Sequence, residues 1–179
     1  MNGALEKAAG RLWNVPTDRI KQVPFVPLAV GSFFFVGLSP FSSGTVGSAV
    51  AAALYYVIPA LQNNWVLAAL CVICLVAGAV ASDIITLLTH EHDSGIIVID
   101  EVLGQWIALF SVWYTGDVIF IVGAFIFFRV FDILKVYPAS RFEKSHGGTS
   151  IMLDDAVAGI YANLAAHGAT YGYYRFLAQ

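Results

Sequence analysis

Between Lys21 and Asp83 the chain carries no lysine, arginine, aspartate or glutamate. Charged residues make up only 12% of the whole, against roughly 25% in an ordinary soluble domain. Hydrophobic residues reach 59%, and the mean hydropathy is +0.76. This scarcity of charge excludes a typical water-soluble globular domain and predicts a membrane protein. A net charge of −3 excludes no partner by itself, but with Gln22 through Ser82 free of charge no nucleic acid partner is expected. Cysteine is equally scarce. Cys71 and Cys74 lie inside the apolar run Trp65 to Ala81 with no second pair and no nearby histidine, which reads as small core residues rather than a zinc or redox site. No Gly-Lys-Ser/Thr is present, so a nucleotide-binding Walker loop is unsupported. Met1 to Val23 has no continuous apolar stretch of the kind a signal peptide needs, which leaves membrane insertion to the later helices.

The apolar segments themselves predict an all-α, polytopic helical membrane protein of about five spans plus a short re-entrant or interfacial helix. A crossing takes roughly 20 residues. Phe25 to Leu38 falls short of that and suits the re-entrant helix. The expected spans are Ala49 to about Ala60, Trp65 to Ser82, Gly95 to about Tyr114, Val118 to about Tyr137 and Ile151 to about Leu177. Ala4 to Trp13 reads either as a short surface helix or as a solvated leader. Residues 1–24 read as a cytoplasmic amino-terminal segment and 25–179 as one membrane-embedded domain. Counting crossings places the Ser39 to Ser48 loop, the Asp83 to Gly95 loop and the Arg129 to Ser150 region on one face, with the turns at Gln62 and Thr115 on the other. Eight of the nine basic residues lie before Val23 or between Arg129 and Lys144. The positive-inside rule therefore puts that face in the cytoplasm.

Within this apolar frame a few groups carry chemistry. Asp100-Glu101 is flanked by Ile96 to Ile99 and Val102-Leu103, and Asp154-Asp155 follows Ile151-Met152-Leu153. Bare carboxylates beside hydrocarbon cost several kcal/mol or more each, so something must compensate them. Four carboxylates match the oxygen donors Mg²⁺ prefers. Acids at helix amino termini, complementing the dipole, are the other reading. Arg129, Asp132 and Lys135 recur every third residue and share a helical arc of roughly 120°. They form either an ion-pair ladder at the membrane boundary or two cations that grip phosphate, with Asp132 orienting them or binding metal. Gly44-Thr45-Val46-Gly47-Ser48 opens a helix after a Pro- and Ser-rich turn; its amides and the Thr45 and Ser48 hydroxyls suit an anion, and Gly and Ser there suit capping equally. His146 before Gly147-Gly148 reads as a general acid or a solvated loop residue, His90 and His92 as metal ligands with Asp93 or as part of a flexible acidic loop, the latter favoured, and His167 as packed or outward-facing.

These motifs, in this order, resemble the phosphatidylglycerophosphatase A family of bacterial membrane phosphatases. The resemblance runs from about Leu38 to Tyr161. It rests on Leu38-Ser39-Pro40 with Gly44 to Ser48, on His92-Asp93 leading to Val98 to Val102 and Gly104-Gln105-Trp106, on Phe128 to Lys135, and on Gly147-Gly148 with Ile151 to Gly159. It departs at Ser43, Val136 and Ser150, where the family usually has Pro, Pro and Gly, all positions that shape backbone rather than carry charge.

The resemblance implies removal of the terminal phosphate of phosphatidylglycerophosphate, a phospholipid substrate, to give phosphatidylglycerol in the bacterial inner membrane, with Mg²⁺ as cofactor. It carries the motif positions onto Thr45, Asp100, Glu101, Arg129, Asp132, Lys135, Asp154 and Asp155. The expected catalytic residues are Asp100, Glu101, Asp132 and Asp155; the expected metal ligands are Asp100, Glu101, Asp154 and Asp155. Phosphate is expected on Gly44, Thr45, Ser48, Arg129 and Lys135. Activated water is the first choice of nucleophile and an aspartyl phosphate on Asp100 the second. A divalent-cation or proton-coupled transporter is the alternative, disfavoured because the turns at Gln62 and Thr115 and the helix halves near them offer almost no polar path.

Overall fold

The structure is a computed structural model that describes residues 17–91, 94–134, 137 and 147–176. Among the described residues it is all helical, with no strand. A single helical turn at Thr17–Ile20 precedes α1 (Phe25–Gly31), α2 (Ser43–Val57), α3 (Asn64–Thr89), α4 (Ile99–Ala108), α5 (Val118–Leu134) and α6 (Gly148–Phe176). Short 3-10 turns stand at Val36–Leu38 and Pro59–Gln62. The expected helix Ala4 to Trp13 lies outside the described residues.

α3 is the backbone of the molecule. Asn63 caps it, its Oδ1 accepting from the amides of Trp65 at 2.9 Å and Val66 at 3.4 Å. It runs 26 residues, about 39 Å, and alone among the described residues is both long and apolar enough to cross a membrane. Its outer face shows Val72, Ile73, Val76 and Val80, each more than half exposed. That contiguous apolar surface suits lipid rather than water. Among the described residues the other helices do not meet that test by length and composition, so five crossings are not confirmed. α2 has 15 residues and α5 17, and α6, though 29 residues long, carries Asp154, Asp155, His167 and several tyrosines.

The largest correction concerns Gly95 to Tyr114. It forms no span: α4 covers only Ile99–Ala108, about 15 Å, and the chain then turns. The stop comes from α6, where Asn163 Nδ2 donates to the carbonyls of Phe110 at 2.6 Å, Ala108 at 3.0 Å and Ile107 at 3.4 Å. Those are carbonyls a helix end leaves without partners. α4 is instead the centre of the bundle, packed by α2, α3, α5 and α6. Ile99, Val102, Leu103, Gly104, Gln105, Trp106 and Ala108 are all buried. The Trp106 indole N–H donates to Ala51 O at 3.2 Å, so its one polar group is satisfied inside.

The other boundaries move less. α3 continues through Thr89, two turns past Ser82, and closes on His90 in the left-handed region (φ 58). α2 begins at Ser43, a turn and a half before the expected start. Phe25 to Leu38 makes no continuous helix: after α1, Phe33, Phe34 and Phe35 all have positive φ (44, 54 and 70). Residues with a Cβ seldom adopt that conformation. Ser32 holds it, its hydroxyl donating to Leu28 O at 2.6 Å and accepting from Phe35 N at 3.0 Å, while Gly37 N donates to Ser32 O at 2.9 Å. The turn is docked through Val98 N, which donates to Gly31 O at 2.9 Å. Cys71 and Cys74 are free and buried in the core.

Candidate active site

Three amino-terminal helix turns meet at one end of the bundle. α6 is anchored there by Asp83 on α3, whose Oδ1 accepts from Gly148 N, a cap supplied from 65 residues away. One turn further in, Met152 lies against Gly78, where an added Cβ would touch its Sδ and Cε. Asp155 follows, seven residues and about 10 Å below the start of α6. At the same depth Asp100 and Glu101 occupy the first turn of α4. The crossing that aligns them is made by glycines. A Cβ at Gly159 would collide with Gly104 O, and one at Gly104 would collide with the Phe128 ring and stand 2.6 Å from Asp155 O. Small residues are what let helix backbones approach in an apolar medium.

The result is a compact acidic centre. Ligand-capable oxygens of Asp100, Glu101 and Asp155 all lie within 4.8 Å of one another. Asp100 Oδ1, Glu101 Oε2 and Asp155 Oδ2 are buried with no hydrogen-bond partner among the described residues. Like charges so close in a poorly polarisable interior repel strongly. The arrangement therefore calls for a compensating positive charge. An all-oxygen donor set with three orphaned carboxylate atoms fits a hard divalent cation such as Mg²⁺. Asp154, one position earlier on α6, is half-buried and stands outside this group. Thus the first acid pair contributes both members and the second contributes one.

Beside the acids lies a single guanidinium. Arg129 Nη1 donates to Asp132 Oδ2 at 2.8 Å, with both side chains about one-sixth exposed, and to Ser48 Oγ at 3.3 Å; its Nε is buried without a partner. Ser48 is fully buried, and its own proton goes to Gly44 O at 2.8 Å. That hydroxyl is therefore committed to holding Arg129 and α2 together. Thr45, in the first turn of α2, is half-buried with Oγ1 2.9 Å from Ser42 Oγ. A Cβ at Gly44 would strike Glu101 Oε1, so the α2 terminus presses directly on the acidic centre. Lys135, His146, His92 and Asp93 lie outside the described residues.

The opposite end is a separate polar network, in which Asn64 Oδ1 is buried with no partner among the described residues. His167 Nδ1 is 2.9 Å from Asn163 O and its Nε2 3.2 Å from Ser111 Oγ, with the ring packed on Phe120 at 4.7 Å. Asn64 Nδ2 donates to Ser111 O at 3.1 Å. His167 is thus a packing residue that ties α6 to the turn after α4. Two features escaped sequence reasoning: Asp83, read as the start of a loop, and Gln105, noticed only within a motif. A buried amide one turn from an acid was the available signal for the second.

An all-helical, apolar fold that brings three carboxylates and an arginine–aspartate pair to one end of its helices has the makings of a membrane-associated hydrolase of phosphate esters. The chain belongs to the phosphatidylglycerophosphatase A family, which matches residues 29–170, and so to the phosphoric monoester hydrolases. It is 36% identical over 153 residues to the Escherichia coli protein named phosphatidylglycerophosphatase A, covering 82% of this chain and 84% of that one. The Haemophilus influenzae protein of the same name is 34% identical over 164 residues, covering 88% and 96%. A Bacteroides thetaiotaomicron protein named "Putative phosphatidylinositol-3-phosphatase" is 36% identical over 152 residues, covering 80% and 92%. No solved structure matches the chain. Nothing in these relationships supports the transporter alternative.

Proposed function

We propose that the protein removes the terminal phosphate of phosphatidylglycerophosphate, giving phosphatidylglycerol, with Mg²⁺ held by Asp100, Glu101 and Asp155. The observation that carries this reading is the convergence of three carboxylates from two helices, each with an orphaned buried oxygen. When bound, a divalent cation supplies Lewis-acid polarisation and makes water a better nucleophile. Arg129, steadied by Asp132 and Ser48, meets the charge that grows on the phosphoryl oxygens. The free amides of the first turn of α2, with Thr45, bind the same oxygens. Lys135 adds a second cation, and Asp154 supports Asp155 from the neighbouring position. Water adds to phosphorus as the ester P–O bond breaks, leaving a glycerol hydroxyl and inorganic phosphate.

The same reading sets the topology. α2, α5 and α6 lie in the bilayer beside α3 as a multi-pass bundle of the bacterial inner membrane, and the acidic end faces the cytoplasm, where the basic residues cluster. The acids lie two turns along α6 from Gly148, which supports a site at the cytoplasmic interface whose lipid keeps its tails among the helices. Purified protein in detergent should release phosphate from phosphatidylglycerophosphate, lose that activity with a chelator and recover it with Mg²⁺. The name of the Bacteroides relative makes phosphatidylinositol 3-phosphate the comparison substrate. Faster turnover of the inositol lipid, or chelator-resistant turnover, would overturn the assignment.

A further inference from the structure

Gln105 is the polar side chain in α4 beyond the two acids, and it is fully buried. Neither its Oε1 nor its Nε2 has a hydrogen-bond partner among the described residues. Native proteins rarely leave a buried amide wholly unpaired, and a missing water or ion is the usual reason. Its position says where that water lies. Gln105 follows Glu101 by four residues, roughly 6 Å along the axis and 40° around it, so both project from one face of α4. The residues on either side are sealed against protein: Gly104 against Phe128 and the Asp155 carbonyl, Trp106 through its bond to Ala51 O. Side chains on a helix lean toward its amino terminus, which for Gln105 is the turn that carries Glu101, whose Oε2 is itself orphaned among the described residues.

We propose that Gln105 is a positioning residue that forms the inner wall of the ion site, holding a water between its amide and the carboxylates of Asp100, Glu101 and Asp155. An amide suits this place because it both donates and accepts, matching a water that must face carboxylates on one side and the core on the other. Mg²⁺ dehydrates reluctantly and keeps several of its waters, so a protein amide that orders one raises affinity for the ion. The inference rests on the ion-site reading above and extends it to a residue that does not touch the ion.

The test uses the full chain in detergent, with no substrate, and reads thermal stabilisation as MgCl₂ is raised. Gln105→Leu should shift the half-maximal Mg²⁺ concentration upward ten- to a hundred-fold. Its ion-free melting temperature should equal or exceed that of the parent, because an apolar side chain replaces an unpaired amide. Should that variant fail to fold, Gln105→Met, unbranched and adaptable, takes its place with the same expectation. A Gln105 that merely fills space gives the opposite pattern, a lower ion-free melting temperature and an unchanged Mg²⁺ midpoint, and that result overturns the proposal. Asp100→Asn separates the two levels. If it keeps the full Mg²⁺ response, the ion site itself is wrong. If it loses the response while Gln105→Leu retains the parental midpoint, only the role of Gln105 falls.

Discussion

Gly159→Ala is a one-methyl perturbation of the contact that brings the two halves of the acidic centre together. The new Cβ would run into Gly104 O and lie 3.1 Å from both the carbonyl carbon and Cα of Gly104. These are backbone atoms in the buried centre of α4, so no side chain can rotate aside. α6 must retreat from α4 by on the order of 1 Å to restore ordinary contact, an overpacking strain that costs about 1–3 kcal/mol. Asp155 is one turn before Gly159 on the same face of α6 and moves with it. A 1 Å misplacement of a catalytic group costs about a hundred-fold in rate. The variant should therefore fold with a modestly lower melting temperature and release phosphate from phosphatidylglycerophosphate about a hundred-fold more slowly. Gly168→Ala is the matched control, on the same helix with nothing within 4 Å of the added methyl. It should keep full activity and gain up to about 1 kcal/mol from helix propensity. Parental turnover and melting temperature in Gly159→Ala would refute the reasoning, since the crossing would then not set the position of Asp155.

Asp155→Asn should abolish phosphate release while the protein remains folded by melting in detergent, because removing one of three crowded negative charges relieves repulsion as it removes an ion ligand. Ser48→Ala should lower kcat by about ten-fold and cost about 1–3 kcal/mol of stability, since it leaves one side of the part-buried Arg129 without its partner; Arg129→Lys should be far worse for turnover, losing the planar fork. Gly44→Ala should displace the Glu101 carboxylate and weaken Mg²⁺ stabilisation, read as a higher midpoint in the thermal titration. Asp83→Ala removes the cap of α6 and should cost about 0.5–2 kcal/mol of stability, seen as a lower melting temperature, with a smaller loss of activity.

What the sequence reveals and what it conceals divides along physical lines. The run Trp65 to Ser82 announces α3 because no charge interrupts it, and Asp83 looks like its end, yet Ile84, Ile85, Leu87 and Leu88 carry the apolar pattern on to Thr89 and Asp83 turns out to cap α6 at Gly148. The end of α4 is invisible in composition. Leu109 to Tyr114 is as apolar as the helix itself, and the stop is written in Asn163 more than 50 residues later. The left-handed turn at Phe33 to Phe35 contains no glycine to advertise it. In the site, two acid pairs and the Arg129–Asp132 step are legible as chemistry because their setting is so costly for charge. That both members of the first pair join the cluster and only Asp155 of the second does is not, since that depends on how α6 is rotated about Gly159. Ser48 looks like a ligand group in sequence, and its commitment to Arg129 and Gly44 O appears only when α2 and α5 are packed together.

The central claim is that Asp100, Glu101 and Asp155 jointly hold one divalent cation at the place where phosphate is cleaved. Crystals of the protein grown with Mn²⁺ in place of Mg²⁺ test it most directly, through the anomalous signal of the ion. The account predicts a peak enclosed by oxygens of these three side chains, at coordination distances close to the 2.0–2.1 Å of Mg²⁺. A peak elsewhere, or none at saturating Mn²⁺ with the three carboxylates turned apart, would contradict it.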